Sequence, residues 1–468
     1  MRYFNKDAPI IRFAMPDTKL TVSGICTLLI SAVSEIFKLL IYKMPFTNEQ
    51  LKSIAERLAG LLNKASIILL AIGVILIATA IIVHLKMPDK ARIKYLVRKG
   101  LYCYEYGNPL HLKDGERLPE IKCKNTGLGV FELTVKAVTC TVEDIQNISS
   151  SISSSMNKKG FKRYAVTQTS TDIAFNDVTF RIEDVTVDRS LTFNDVNEMK
   201  PKERTKLIVQ KDTYIDLTTS GSMLIAGKTR SGKTTGIISL LLQALPCGRD
   251  YYGSEIIIID PKQAELSRLP HVVTLDENGE ATAILDAMKR FCDTVIKRQK
   301  VLNDLSEQKG DAVKWWEAGM NVSFLFIDEY VACRTMFPNK PSKDNPYYCL
   351  ATFDGLLKRI VTMGASAGCY AIISIAQASV SDGGLPSMLR DAMTTKILFK
   401  PTLDEGRLLW DSDKLKDFNC ERVYNAGDAW FSSTDGIHDN VSYVHFPYMK
   451  FKVYGELGRL LNEYYNKD

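Results

Sequence analysis

The sequence is poor in the residues that build metal centres and disulfide frameworks. It has only 5 histidines in 468 residues, and none of them stands at metal-ligand spacing. Its 10 cysteines include no C-x-x-C pair, and several lie in apolar runs, as Cys292 and Cys369 do. Dispersed cysteines are typical of reduced packing residues, so we expect most of the chain to lie in a cytosol.

The sequence also lacks a strong excess of either charge. A net charge of +6 and a pI near 8.6 permit a polyanionic partner but do not require one. Hydrophobic residues make up 46% and charged residues 24% of the chain, as in ordinary globular proteins. The length indicates two or three domains.

One long segment lacks charge altogether. Residues 65–83 carry no charged side chain, and as a helix they would extend about 28 Å, close to the bilayer's hydrocarbon core of about 30 Å. We predict a transmembrane helix at about 65–85 rather than a buried core helix, because no polar face recurs along it. Residues 20–41 are less uniform, since they contain Glu35 and Lys38; we favour a second span there over an interfacial helix.

The flank that follows the clear span is basic. Residues 86–99 hold six basic side chains and one acidic one, which places this flank in the cytoplasm by the positive-inside rule. We therefore predict a membrane anchor at 1–99 in a multi-pass protein of the cell membrane. Its outer loop would lie near 47–64, and the rest of the chain would be cytoplasmic. The basic run could also contact anionic lipid headgroups.

The region 100–205 is predicted to be a small α+β domain without a catalytic constellation. Apolar residues at helical spacing predict a helix over 145–156, although its many serines leave a flexible linker as the alternative. Strands are predicted at 130–142, 164–167, 178–182 and 185–187.

A phosphate-binding pattern follows. A short apolar strand at 222–226 leads into G-x-x-x-x-G-K-[ST], and an apolar helix follows at 237–245. Glycines let backbone N–H groups wrap phosphates, and the start of the helix adds partial positive charge. We predict that ATP is bound here, with Lys233 on the β- and γ-phosphates and Thr234 on Mg²⁺. The predicted nucleotide-binding residues are Gly227, Lys228, Thr229, Arg230, Ser231, Gly232, Lys233, Thr234 and Thr235.

An apolar strand that ends in two carboxylates completes the predicted site. Residues 322–327 lead into Asp328 and Glu329. Asp328 is predicted to hold Mg²⁺ and Glu329 to orient or deprotonate the attacking water, which is a hydrolase pattern. Two solvated acids at a strand end are the alternative. Asp260, which ends another apolar strand, is a rival for the metal, but the adjacent Glu329 favours Asp328.

A further strand, 370–376, ends at Gln377. We predict that this amide senses the γ-phosphate, although an ordinary strand-end residue would look the same. Strands that alternate with helices predict a doubly wound α/β motor domain over 206–450, and a C-terminal helix or tail at 451–468.

The order of these motifs resembles the FtsK/SpoIIIE family of DNA-pumping ATPases and their relatives, the conjugative coupling proteins. The resemblance covers about residues 205–450. It implies a RecA-like P-loop fold and a homo-hexameric ring that moves DNA through a central channel, with Asp328 as the main Mg²⁺ carboxylate. The residues that carry it are Tyr214, Asp216 and Leu217 before the glycine loop; Asp260, Pro261, Lys262, Glu265, Leu266, Pro270 and His271; Asp328 and Glu329; Ala376 and Gln377; and Gly427, Asp428 and Ala429.

Several features depart from that family. Arg230 stands where the family usually has glycine, and residues 364–368 lack the arginine expected before the fourth strand. Arg359, Arg390 and Arg407 are candidates for a trans-acting arginine. The short stretch after Pro447 leaves no room for a winged-helix domain, and the anchor is small. Both features favour the TcpA-like coupling proteins of mobile elements.

The predicted function is therefore that of a membrane-anchored, ATP-driven translocase of sequence-nonspecific DNA, acting as the coupling ATPase of conjugative transfer. A relaxase and conjugation channel proteins would be its further partners. A plasmid or chromosome segregation pump and a protein-secretion ATPase of the same family remain alternatives. A signalling GTPase is disfavoured because residues 339–342 lack the acidic residue for guanine selection, and an ABC transporter because no L-S-G-G-Q occurs.

Two basic stretches are candidates for DNA contact, because a non-specific grip on DNA needs cations aimed at phosphates. One is 334–343, which contains Arg334, Lys340 and Lys343. The other comprises Lys289, Arg290, Lys297, Arg298 and Lys300. An ordinary solvated surface is the alternative for both.

Overall fold

The computed structural model describes residues 15–46, 48–101, 109–111, 119–137, 140–156, 164–376, 385–416, 418 and 422–466. The chain divides into two compact units, Met1–Val187 and Asp188–Asp468. Sequence analysis put the boundary of the motor domain at 206. Residues 188–205 belong to the second unit, because strand β5 (Thr192–Phe193) pairs with β16 (Tyr448–Met449) near the other end of that unit.

Two long helices begin the first unit. Helix α1 spans Pro16–Lys43 and α2 spans Glu49–Lys86, and both are long and apolar enough to cross a membrane. The apolar part of α2 is mostly exposed, so it is not the buried core helix weighed above for 65–83. Residues 49–64, which lie in the predicted outer loop, are helical, because α2 begins at Glu49, after Asn48 accepts the N–H of Gln50.

Helices α1 and α2 pack closely against each other at two glycines. A Cβ on Gly24 would lie 3.1 Å from the Gly73 carbonyl oxygen, and one on Gly73 would lie 3.2 Å from that of Gly24. Only glycine allows the two backbones to approach so closely. Within α1, Glu35 and Lys38 pair with each other, since Lys38 Nζ lies 2.5 Å from Glu35 Oε2. That pairing reduces the cost of placing them in an apolar helix.

The rest of the first unit is a helix-covered antiparallel sheet. Its strands follow the order β1-β2-β4-β3. Residues 145–156 form two short helices rather than one, because Asn147 ends the first, and the Ser-rich stretch is helical. The strand predicted to reach 142 ends at Lys136, and 185–187 is not a strand. The elements are α3 (Asp89–Leu101), β1 (Ile121–Gly127), β2 (Val130–Lys136), α4 (Val142–Gln146), α5 (Ser149–Met156), β3 (Tyr164–Thr171) and β4 (Asp177–Asp184).

The second unit is built on an eight-stranded sheet of order β10-β9-β11-β12-β8-β13-β14-β15. The first six strands of this order pair in parallel. Strand β14 pairs antiparallel with β13, and β15 pairs antiparallel with β14. These strands are β8 (Met223–Gly227), β9 (Ile256–Ile259), β10 (Val272–Val273), β11 (Ser323–Ile327), β12 (Cys369–Ile375), β13 (Thr395–Phe399), β14 (Asp428–Ser432) and β15 (Ser442–His445); β6 (Lys206–Gln210) and β7 (Thr213–Asp216) form a separate hairpin.

Helices cover both faces of this sheet. They are α6 (Lys233–Ala244), α7 (Thr282–Lys309), α8 (Tyr330–Thr335), α9 (Leu350–Met363), α10 (Ser387–Ala392), α11 (Leu403–Leu409), α12 (Ser412–Lys416) and α13 (Val453–Tyr465). Alternate residues of the buried strands enter two cores: Ile258 packs with α6 and α13, and Ile259 packs with α7 and α9. The predicted doubly wound α/β fold is confirmed. In such a fold the carboxyl ends of the parallel strands form the ligand-binding edge.

Candidate nucleotide-binding site

The loop between β8 and α6 has a backbone that favours glycine. Gly232 has φ +94°, and a Cβ there would lie 2.7 Å from the Gly427 nitrogen. Arg230, where the resembled family usually has glycine, also has a left-handed φ of +63°. A left-handed conformation costs a residue other than glycine about 1 to 2 kcal/mol. The departure at Arg230 therefore carries a strain that glycine would avoid.

One residue of this loop, Ser231, has a buried hydroxyl. Within the described part of the chain, Ser231 Oγ is buried and has no hydrogen-bond partner. Buried polar atoms normally have a partner, so an unpaired one at a glycine loop points to a ligand that the loop accommodates. The glycine cradle and this hydroxyl fit a bound phosphate chain.

Lys233 connects the glycine loop to the acidic strand end. It is the first residue of α6, its side chain is only 7% exposed, and its Nζ lies 3.2 Å from Glu329 Oε1. Strand β12 separates β8 from β11 in the sheet, yet the two strand ends meet through this pair. The structure thus brings together the two motifs that the sequence assigned to one site.

Asp328 and its rival Asp260 have different surroundings. Both carboxylate oxygens of Asp260 accept backbone N–H groups, from Lys262 at 3.2 Å and from Ala264 and Ser267 at 3.0 Å. Asp260 is therefore occupied in holding its own loop. Among the described residues, Asp328 accepts one side-chain hydrogen bond, from Ser374 at 2.9 Å. Burial raises its pKa against the opposing charge of Lys233. A half-buried, weakly paired carboxylate gains from a bound cation.

The turn at Gly427 and Asp428 contacts the loop between β8 and α6. Gly427 donates its N–H to the Ser231 carbonyl at 2.9 Å. The next residue, Asp428, accepts hydrogen bonds from Tyr443 at 2.6 Å and from His445. Burial works against the Asp428 carboxylate, but these donors hold its pKa below the usual value. Hydrogen bonds to the Asp428 carboxylate thus fix the turn that contacts the phosphate loop.

The other predicted binding residues lie on the same loop. Lys228, Thr229 and Arg230 are exposed, Thr234 is half-buried and Thr235 is exposed. The Lys228 ammonium lies 3.6 Å from Glu405. Gln377 lies outside the described residues. Sequence analysis missed Ser374, which no motif marks, and gave Lys262 no role at the site although it stands in the D-P-K run.

The candidate trans-acting arginines differ in their surroundings. Arg359 is exposed on α9. Arg390 donates to the Leu408 carbonyl at 3.0 Å, and Arg407 lies 3.4 Å from Asp404. Arg390 thus has a structural role at the end of α11, and the other two present more of their charge to solvent.

The residues of the two basic stretches differ in burial and in pairing. Arg298 is fully buried and donates to Ser323 Oγ and the Asn321 carbonyl, so its predicted contact with DNA is wrong. Arg334 pairs with Asp354 at 2.9 and 3.1 Å, which neutralises it as a phosphate ligand. Lys340 and Lys343 stay exposed and available.

The doubly wound sheet, the glycine loop and the acidic strand end define a P-loop ATPase domain. Residues 192–321 match the model of the FtsK/SpoIIIE family. This part of the chain is therefore similar to an FtsK/SpoIIIE family domain. Over 151 residues it is 26% identical to the Ftsk domain-containing protein YdcQ of Bacillus subtilis strain 168; the match covers 32% of this chain and 28% of YdcQ.

Two solved structures are similar at low identity. The pCW3 conjugation coupling protein TcpA, solved as a monomer with ATPγS, has a TM-score of 0.44 and 13% identity over 79% of this chain and 99% of its own. ATPases 2 and 3 of EssC from Geobacillus thermodenitrificans have a TM-score of 0.40 and 16% identity over 60% of this chain and 53% of theirs. These similarities do not assign a substrate to this chain.

Proposed function

We propose that this protein hydrolyses ATP at the edge formed by the ends of β8 and β11. The observation that carries the proposal is the 3.2 Å contact between Lys233 Nζ and Glu329 Oε1, which puts the phosphate loop and a candidate base at one place. In this site the backbone of 227–234 and the Lys233 ammonium bind the phosphates. Glu329 accepts the proton of the attacking water.

Thr234 and Asp328 are the residues proposed to hold Mg²⁺. Threonine hydroxyl and carboxylate oxygens are the hard ligands that Mg²⁺ prefers. When bound, the ion neutralises charge that builds up on the phosphate oxygens. Ser374 orients Asp328 through its 2.9 Å hydrogen bond. Asp260 is not proposed as a ligand because its oxygens already accept three backbone N–H groups. Gln377 stays a predicted sensor of the γ-phosphate.

We propose further that hydrolysis drives the movement of sequence-nonspecific DNA, as the coupling ATPase of conjugative transfer. The FtsK/SpoIIIE domain supports this, as do the exposed Lys340 and Lys343 on the segment after α8. A homo-hexameric ring would place that segment from every subunit around one axis. The mass of the full chain with ATP, measured in detergent, tests the subunit number. Pull-down with a relaxase or a channel protein tests the proposed partners.

DNA should stimulate ATP hydrolysis by the full-length chain purified in detergent. Because the contacts are to phosphates, the apparent affinity for DNA should fall at least about tenfold between 50 and 200 mM salt. The measurement compares turnover with single-stranded DNA, duplex DNA and no DNA, and Lys233→Ala serves as the control for contaminating ATPases. Equal turnover in all three would remove the translocase proposal and favour the protein-secretion alternative.

We also propose that α1 and α2 both cross the cell membrane, with the second unit in the cytoplasm. The support is their apolar length and the basic residues at 86–99. The chain should stay in the membrane pellet at alkaline pH, and protease added to intact cells should leave the second unit uncut. Release by carbonate would contradict the proposal.

A further inference from the structure

Glu329 lies between two lysines that reach it from different loops. One oxygen, Oε1, is 3.2 Å from Lys233 Nζ, and the other, Oε2, is 3.6 Å from Lys262 Nζ. Lys233 comes from the phosphate loop after β8. Lys262 comes from the loop after β9, the strand that pairs directly with β11. The carboxylate is thus held from both sides.

The backbone around Lys262 is fixed independently of the phosphate loop. The carboxylate of Asp260, which is only 1% exposed, accepts the Lys262 N–H at 3.2 Å and two further N–H groups of the same loop. Between them Pro261 restricts the backbone, since its ring locks φ near about −65°. The buried aspartate therefore sets where the Lys262 ammonium can reach, while the side chain itself stays half exposed.

Glu329 itself has a strained backbone. Its φ is +50°, and its carbonyl accepts the Cys333 N–H at 3.1 Å, at the start of α8. A left-handed residue other than glycine costs about 1 to 3 kcal/mol and persists where the surroundings fix it. In this conformation the carboxylate lies where both Lys233 and Lys262 contact it.

We propose that Lys262 is a positioning residue that keeps Glu329 in place when a nucleotide is bound. This rests on the proposed ATPase function. A bound triphosphate competes with Glu329 for the Lys233 ammonium, and it carries more charge than one carboxylate, so the contact between Lys233 and Glu329 weakens when the nucleotide binds. Among the described residues, Lys262 is the other cation within ion-pair distance of Glu329. It therefore becomes the partner that holds the base over the attacking water.

The test uses the full-length chain in detergent and the variants Lys262→Met, Lys262→Arg and Lys358→Met. Methionine keeps the length of the side chain without its charge, and Lys358 is an exposed lysine of α9 that serves as the control. With Lys262→Met, kcat should fall about 10- to 100-fold, because a misplaced base costs rate rather than affinity. The equilibrium Kd for ATP should stay within about twofold, since Lys262 is not proposed to bind phosphate. Lys262→Arg should restore most of kcat, and Lys358→Met should match the unmodified chain.

Three results would overturn the proposal. An unchanged kcat in Lys262→Met would show that Glu329 needs no second cation. A Kd that rises as much as kcat/KM falls would make Lys262 a phosphate ligand. A lowered melting temperature with lost ATP binding in both Lys262→Met and Lys262→Arg would make it a structural residue. Failure of the underlying ATPase proposal looks different, because the unmodified chain would then not hydrolyse ATP.

Discussion

Replacing Lys233 by alanine should abolish turnover and weaken ATP binding about 10- to 100-fold, since hydrogen bonds to charged groups contribute about 1.5 to 3 kcal/mol each. The reason is local. Lys233 supplies an ammonium at the start of α6, almost completely buried, where it adds to the partial charge of the helix. The loss of hydrolysis should exceed the loss of binding, because charge builds up on the phosphates in the transition state.

Equilibrium titration with a fluorescent ATP analogue and a phosphate-release assay measure the two effects separately. Lys358→Ala, which removes an exposed lysine of α9, is the matched control and should leave both unchanged. A Lys233→Ala chain that hydrolyses ATP at the normal rate would exclude the glycine loop as the site.

Replacing Glu329 by glutamine should lower kcat about 100- to 10,000-fold, the range that a general base contributes. The amide keeps the shape of the side chain but cannot take a proton from water. It also cannot pair as strongly with Lys233, so that lysine is freed for the phosphates. We therefore expect ATP to bind this variant at least as tightly as it binds the unmodified chain.

Single-turnover hydrolysis and equilibrium binding of ATP, measured side by side, check this prediction. Glu307→Gln, an exposed carboxylate on α7, provides the control for removing one negative charge. Normal turnover in Glu329→Gln would exclude its role as the base. Lost ATP binding would instead show that Glu329 supports the fold of the site.

The parts of the site that depend on local sequence could be predicted. The run from Gly227 to Thr234 imposes its loop through glycine conformations and the start of a helix, and these are properties of neighbouring residues. The alternation of apolar strands and helices likewise predicted the doubly wound sheet, which the structure confirms. The same pattern predicted a strand that ends directly before Asp328, as β11 does at Ile327.

The parts that depend on tertiary contacts could not be predicted. Asp260 and Asp328 both end apolar strands, and only the folded loop shows that three backbone N–H groups occupy Asp260. Arg298 reads as part of a basic helix face, yet it is buried because its helix turns that side toward Asn321 and Ser323. The helical conformation of 49–64 was not predicted, because the apolar span that indicates a helix in the sequence begins only at residue 65.

The contact between Lys233 and Glu329 also changes how the site is understood. The ion pair between the proposed base and the lysine proposed to bind phosphate keeps both side chains from standing as unpaired, largely buried charges. Binding of the nucleotide would then exchange one partner for another at each residue. This exchange is the step that Lys262 is proposed to support.

The most direct measurement is an experimental structure of the full-length Glu329→Gln chain with ATP and Mg²⁺. The account predicts the phosphates against the backbone of 227–234, with the metal about 2.1 Å from the Thr234 hydroxyl and Asp328 facing the same ion directly or through one water. A nucleotide bound elsewhere, or a metal ion out of reach of Asp328, would contradict it.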